Sequence, residues 1–104
     1  MKFIMKVKIP NPYGNDLLKD PKFGLKMKQL LDNVNAEAAY FTTVDAARGG
    51  YVIVNMNDAS EIPKIAEPFF FWLKADIEFI PVMTPDDLAK AAPSIETAAR
   101  LYAS

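Results

Sequence analysis

From Lys2 to Ile9 apolar and polar residues alternate, with Phe3, Met5, Val7 and Ile9 on one side and Lys2, Ile4, Lys6 and Lys8 on the other. That is the period-two pattern of a strand with one buried face, and it predicts a strand over 2–9. Pro10-Asn11-Pro12-Tyr13-Gly14 cannot extend it, because two prolines remove backbone donors and the glycine supplies a turn. Asn15 or Asp16 can cap a short helical turn. The period then becomes helical: Phe23, Met27, Leu30, Leu31 and Val34 form a stripe over 21–34, with Asp20 placed to cap it and Pro21 at the first position.

Strands over 39–44 and 51–56 follow as a hairpin, and Arg48-Gly49-Gly50 offers positive-φ positions for the reversal. Pairing Val44 with Tyr51 sets Tyr40, Thr42 and Val44 on one face with Tyr51, Ile53 and Asn55, and gives Val52, Val54 and Met56 to the helices. Asp58-Ala59-Ser60-Glu61 has capping-box spacing, and Ile62, Ile65, Ala66, Phe69, Phe70 and Leu73 continue it as a helix over 59–74. Pro68 inside that run predicts a kink or a restart. Phe71 points away from the stripe, which predicts a second cover on its side.

Asp76 to Val82 alternates again as a strand over 76–82, with Pro81 suited to an edge. Thr84-Pro85-Asp86-Asp87 is a strong helix start, and Leu88, Ala91, Ala92, Ile95, Ala99 and Tyr102 carry a helix over 85–102, which Pro93 should break or bend.

This order predicts a single α+β domain over 1–104: a ferredoxin-like βαββαβ antiparallel sheet with an extra C-terminal helix. Right-handed crossovers place the first two helices on one face and strands one and three in the centre. The open face then carries Ile4, Lys6, Lys8, Tyr40, Thr42, Tyr51, Ile53, Asn55, Glu78, Ile80 and Val82, too apolar a surface for water. Its expected cover is the same face of a second copy, giving a homodimer, or the C-terminal helix folded over it, or both.

Composition narrows the chemistry. The chain has no cysteine and no histidine, which removes disulfides, thiolate nucleophiles, histidine acid/base pairs and Cys/His zinc sites. Asp86 and Asp87 sit where a helix start favours negative charge, so no metal site is expected, and no cofactor is expected either. Net charge is −1, and although seven lysines precede Leu30, they are spread over a strand and a helix. A solvated surface is expected there, with no nucleic-acid partner. The stretch Ile77 to Val82, interrupted by Glu78, is far too short to span a bilayer, and the first residues lack an apolar signal segment, so cytoplasmic residence is the expectation.

The candidate site lies on the open face. Lys6 and Glu78 become neighbours if strands one and four adjoin, either as a plain ion pair or as a pair with perturbed pKa values fit for proton transfer, and they are the catalytic candidates. Tyr40, Thr42, Tyr51 and Asn55, with Trp72 at the margin, are the ligand-binding candidates for a small apolar or aromatic molecule. The tyrosines and Asn55 serve equally well as interface residues, and Trp72 as core.

Several segments carry a likeness. Ile9-Pro10, Arg48-Gly49-Gly50-Tyr51-Val52-Ile53-Val54, and Glu67-Pro68-Phe69-Phe70-Phe71-Trp72-Leu73 leading into Asp76-Ile77-Glu78-Phe79-Ile80-Pro81-Val82 resemble the dimeric α+β barrel superfamily. The likeness is strongest to small uncharacterised bacterial members and weaker to muconolactone isomerase. It implies that two open sheet faces meet as a barrel, in a superfamily that includes small isomerases, cofactor-free monooxygenases and haem proteins. Histidines recur at functional positions in several members, and none is available here, so haem ligation by histidine is out and proton transfer would fall to lysine, carboxylate or tyrosine.

The expected function is binding of a small apolar or aromatic molecule in a sheet/helix or barrel pocket. The alternatives are a cofactor-independent isomerase or monooxygenase, and an interaction module without ligand. Arg48 to Ile53 also brushes the RNA-recognition consensus, but glycine and tyrosine are exchanged and Ile4 and Lys6 stand where a stacking aromatic is needed.

Overall fold

The computed structural model describes residues 1–103. Its elements are β1 (Lys2–Lys8), α1 (Tyr13–Leu17), α2 (Phe23–Asn33), β2 (Ala38–Val44), β3 (Ala47–Asn55), α3 (Ile62–Leu73), β4 (Asp76–Pro81) and α4 (Pro85–Tyr102), with a 3₁₀ turn at Ala59–Glu61 before α3. The four strands form one antiparallel sheet in the order β2-β3-β1-β4. The result is an α+β domain compatible with the ferredoxin-like arrangement.

Alternation in β1 decides which side of the sheet is core. Met5, Val7 and Ile9 are buried, together with Val52, Val54 and Met56 from β3, and they pack with Met27 and Leu30 of α2 and Ile65, Phe69 and Leu73 of α3. Both helices therefore lie on this one face. Burial of such side chains is worth about 1.5–3 kcal/mol each, so this layer supplies most of the driving force for folding.

The hairpin keeps its faces but not its turn. Val44 pairs with Ala47 and Tyr40 with Tyr51, so the strands run further than expected and reverse through Asp45 and Ala46 alone. Those two residues hold φ of 47° and 65°, and no glycine has positive φ. The left-handed positions needed by a two-residue hairpin turn are thus filled by Asp and Ala, while Gly49 and Gly50 lie inside β3. Their role is close approach: a methyl on Gly49 would run into the Val7 carbonyl oxygen, and one on Gly50 into the Tyr40 carbonyl oxygen. Because the register moved by four residues, an even number, each side chain stayed on its assigned face.

Neither helix proline ends its helix. α3 runs through Pro68 and α4 through Pro93 as single elements, so the expected restart in the first and break in the second are not found. Each proline deprives the carbonyl one turn earlier of its donor, but Lys64 and Ala89 are exposed and water can substitute. Asp20 also acts differently from the expected helix cap. Its Oδ1 accepts from the Lys22 amide at 2.9 Å within a turn, and α2 begins only at Phe23.

The capping box at Asp58 does form. Asp58 Oδ1 accepts from the Ser60 amide at 2.8 Å, and Glu61 Oε2 accepts from the Asn57 and Asp58 amides at 2.7 and 2.9 Å. These backbone donors hold both carboxyl groups below their ordinary pKa values. A carboxylate with a depressed folded pKa contributes stability above its unfolded pKa and loses it as pH falls through the folded value. Urea midpoints should therefore be flat near neutrality and fall as the medium is acidified below about pH 4. Glu61→Gln, whose amide oxygen can still accept, should make that acid decline shallower, and a decline of unchanged slope would show that Glu61 does not contribute to it.

α4 does not fold back over the open face. None of its residues is buried, and it makes no substantial contact with any other element. The cover expected from this helix within its own chain is absent, and Phe71, 82% exposed, is not covered by its own chain either. No helix among the described residues is long and apolar enough to cross a membrane.

Candidate functional site

Strand register brings four of the candidates into one line. Tyr40 lies opposite Tyr51, Tyr51 opposite Lys6, and Lys6 opposite Glu78, so a row Tyr40, Tyr51, Lys6, Glu78 crosses all four strands of the open face. One step toward the other end lies a wholly apolar row: Ala38, Ile53, Ile4 and Ile80. One step the opposite way lie Thr42, Gly49, Lys8 and Asp76. Period-two alternation from three separate segments thus converges on a single polar line beside an apolar one.

Lys6 does not make its ion pair with Glu78. Its Nζ lies 3.2 Å from Oδ2 of Asp45, the first residue of the hairpin turn. The hairpin turn thus reaches across to β1, and the residues on either side of it, Val44 and Ala47, are buried outside the main core. The hydrogen bond and charge of Asp45 raise the Lys6 pKa, with burial opposing and Glu78 adding a smaller push upward. A general-base lysine needs the reverse shift, and the Asp45 partner instead favours the charged form of Lys6. Lys6, Lys8, Asp45, Asp76 and Glu78, with Ile77, line a shallow cleft of about 160 Å³ whose opposite charges largely neutralise one another.

Asn55 and Trp72 stand apart from the row. Asn55 lies opposite Lys2, four residues along β3 from Tyr51 or about 13 Å away. Glu37 organises that end: both its carboxylate oxygens accept from Lys2 Nζ at 2.6 Å, and Oε1 also accepts from Asn55 Nδ2 at 3.4 Å. Lys2 first, and then Asn55, hold the Glu37 carboxyl below its ordinary pKa. Trp72 lies on the helix side of the sheet, its ring 5.5 Å from that of Phe23, while its carbonyl accepts from the Tyr13 hydroxyl at 2.7 Å. It belongs to the layer that closes the core and not to the open face.

A second concavity lies between α2 and the hairpin. Ile9, Leu18, Phe23, Met27, Phe41, Thr42, Arg48 and Gly49 line a cleft of about 250 Å³ that is mostly apolar. Arg48 supplies its one charge, and Nη1 of that residue donates to Asn15 Oδ1 at 2.6 Å. A narrower hollow of about 20 Å³ continues beneath it against Tyr40, Gly50, Val52, Phe69 and Leu73. Of the sequence candidates, Thr42 borders the cleft and Tyr40 the hollow, although the register assigns both to the open face.

Asp45, Glu37 and Arg48 were not among the candidates. Asp45 and Arg48 were hidden by the expectation of a six-residue loop, and the one available signal was that an Asp-Ala pair can serve as a two-residue turn. Glu37 carried no signal until the register placed Lys2 beside Asn55. Among the described residues, no group of three or more acidic side chains converges closely enough to hold a metal ion.

No curated protein matches the chain. Residues 1–95 match the family described as domain of unknown function DUF3303, and the chain belongs to that family.

Proposed function

We propose that this domain binds a small, largely apolar or aromatic molecule carrying one anionic group, in the cleft between α2 and the hairpin. The supporting observation is the cleft itself: an apolar lining of about 250 Å³, open within a single chain, with one guanidinium at its edge. Apolar walls supply affinity without direction, and a single convergent charge fixes orientation. Arg48 suits a carboxylate or sulfonate because its planar fork donates in pairs. Anilinonaphthalene sulfonate is an apt probe. Titration should give one site per chain, Leu18→Trp should fill the mouth and abolish binding, and Arg48→Gln should weaken it about tenfold. Equal binding by wild type and Leu18→Trp would overturn the reading. Native mass spectrometry of protein purified from its source would then identify the natural ligand.

A second site is favoured by the apolar row Ala38, Ile53, Ile4 and Ile80, which leaves the open face unsuited to water. With a ferredoxin-like protomer, two such faces meeting as a barrel would enclose the row Tyr40, Tyr51, Lys6 and Glu78, giving a homodimer with an internal chamber. Isomerase or monooxygenase chemistry there would rest on Glu78 or a tyrosine of the row as base, since Asp45 favours the charged form of Lys6. Binding is therefore preferred to catalysis.

A further inference from the structure

We infer that α4 is an arm that docks on a second copy of this chain through the stripe formed by Leu88, Ala91, Ala92, Ile95, Ala99 and Tyr102. At 100° per residue these six side chains occupy about a third of the helix circumference, and every charged residue of α4 lies outside that arc. Leu88, Ile95 and Tyr102 are 50, 55 and 83% exposed. The inference is separate from ligand binding in the cleft, and it holds whether or not the open faces also meet.

An isolated helix of this length is marginal in water, and an interior proline costs about 3 kcal/mol more. α4 holds Pro93 and has no substantial contact with the rest of its chain. Something must pack on the stripe. Its own sheet is disfavoured by a stiff joint: the Val82 amide donates to the Lys2 carbonyl at 3.1 Å, Thr84 is extended before Pro85, and Thr84 and Asp87 cap one another at 3.0 and 3.2 Å. These contacts set the direction in which α4 leaves the sheet, and the following proline holds Thr84 extended.

Surface area points to a second copy. The chain has a radius of gyration of 17.5 Å and a long axis of 59 Å, against about 13 Å for the radius of a compact domain of this length. It exposes 7146 Å², against about 5,800 Å² for a compact monomer of its mass. The excess of roughly 1,300 Å² exceeds the roughly 800 Å² that each partner buries in a stable interface. Two identical chains related by a twofold axis offer the same stripe to each other, so the two arms can pair in one closed contact that leaves no open end.

Sedimentation equilibrium of the full chain over micromolar concentrations tests this. The wild type should be a dimer, Ile95→Glu should weaken it at least about tenfold, and Lys90→Glu on the opposite side of α4 should leave it unchanged. A photo-crosslinking residue at position 95 of the purified protein should give a dimer-mass adduct. A wild type that stays monomeric overturns the inference, as does an Ile95→Glu variant that pairs like wild type. Ile53→Glu, on the open sheet face, separates the two contacts. If it alone weakens pairing, the sheet contact stands and the arm falls, whereas weakening by Ile95→Glu alone leaves the arm and removes the sheet contact.

Discussion

Gly49→Ala is expected to lose at least about 3 kcal/mol of folding stability, which for a domain of this size lowers the melting temperature by about 12–25 °C. A β-carbon at this position meets the Val7 carbonyl oxygen on one side and Val44 on the other, and the first of these is backbone of the central strand β1. A flexible side chain could move aside; a carbonyl held in the ladder cannot without opening the β1–β3 pairing. Gly24→Ala is the matched control. Nothing lies within 4 Å of a β-carbon there, the residue is helical, and the substitution should stabilise by about 0.5–1 kcal/mol. Thermal melts of the two variants side by side check the claim, and a Gly49→Ala protein melting near wild type would show that β3 can move away from β1.

The same pair of glycines marks the limit of what could be read from the chain alone. Glycine beside glycine between two strands is a turn signal by frequency, yet here it serves close packing of strands, and the reversal falls on Asp45 and Ala46. Period-two alternation survived this error because it depends only on odd and even positions. Tyr40, Tyr51, Lys6 and Glu78 could therefore be placed on one face, and the observed register then set them in one row. Partner choice within the row was not legible. Whether Lys6 meets Glu78 or Asp45 depends on where the hairpin turn lies relative to β1, which is a property of the folded sheet.

Termini of helices were read better than their destinations. Thr84-Pro85-Asp86-Asp87 announces the start of α4 through local chemistry, and the structure holds that capping box. Where the helix goes is decided by packing at long range, and an apolar stripe says only that it must meet something. The cleft beside α2 escaped for a related reason: its lining comes from the residues just after β1 and α1, from α2 and from the hairpin, segments whose mutual placement no local pattern encodes.

Phe69→Ala should cost about 3–5 kcal/mol, the other large effect expected in this molecule. Phe69 is 1% exposed and sits in the middle of α3, against the sheet residues Met5, Val7 and Val52 and beneath the cleft. Removing its ring leaves a void that the surrounding strands cannot close, because the sheet there is held by pairing on both sides of β1 and β3. Phe71, two residues on and 82% exposed, supplies the contrast: Phe71→Ala should change the stability of the single chain by no more than about 0.5 kcal/mol. Chemical denaturation of both variants at low protein concentration tests the pair. Two substitutions of the same type, a few ångströms apart along one helix, should then differ severalfold in cost. A Phe71→Ala loss that appears only as concentration rises would instead place that ring at a contact between chains.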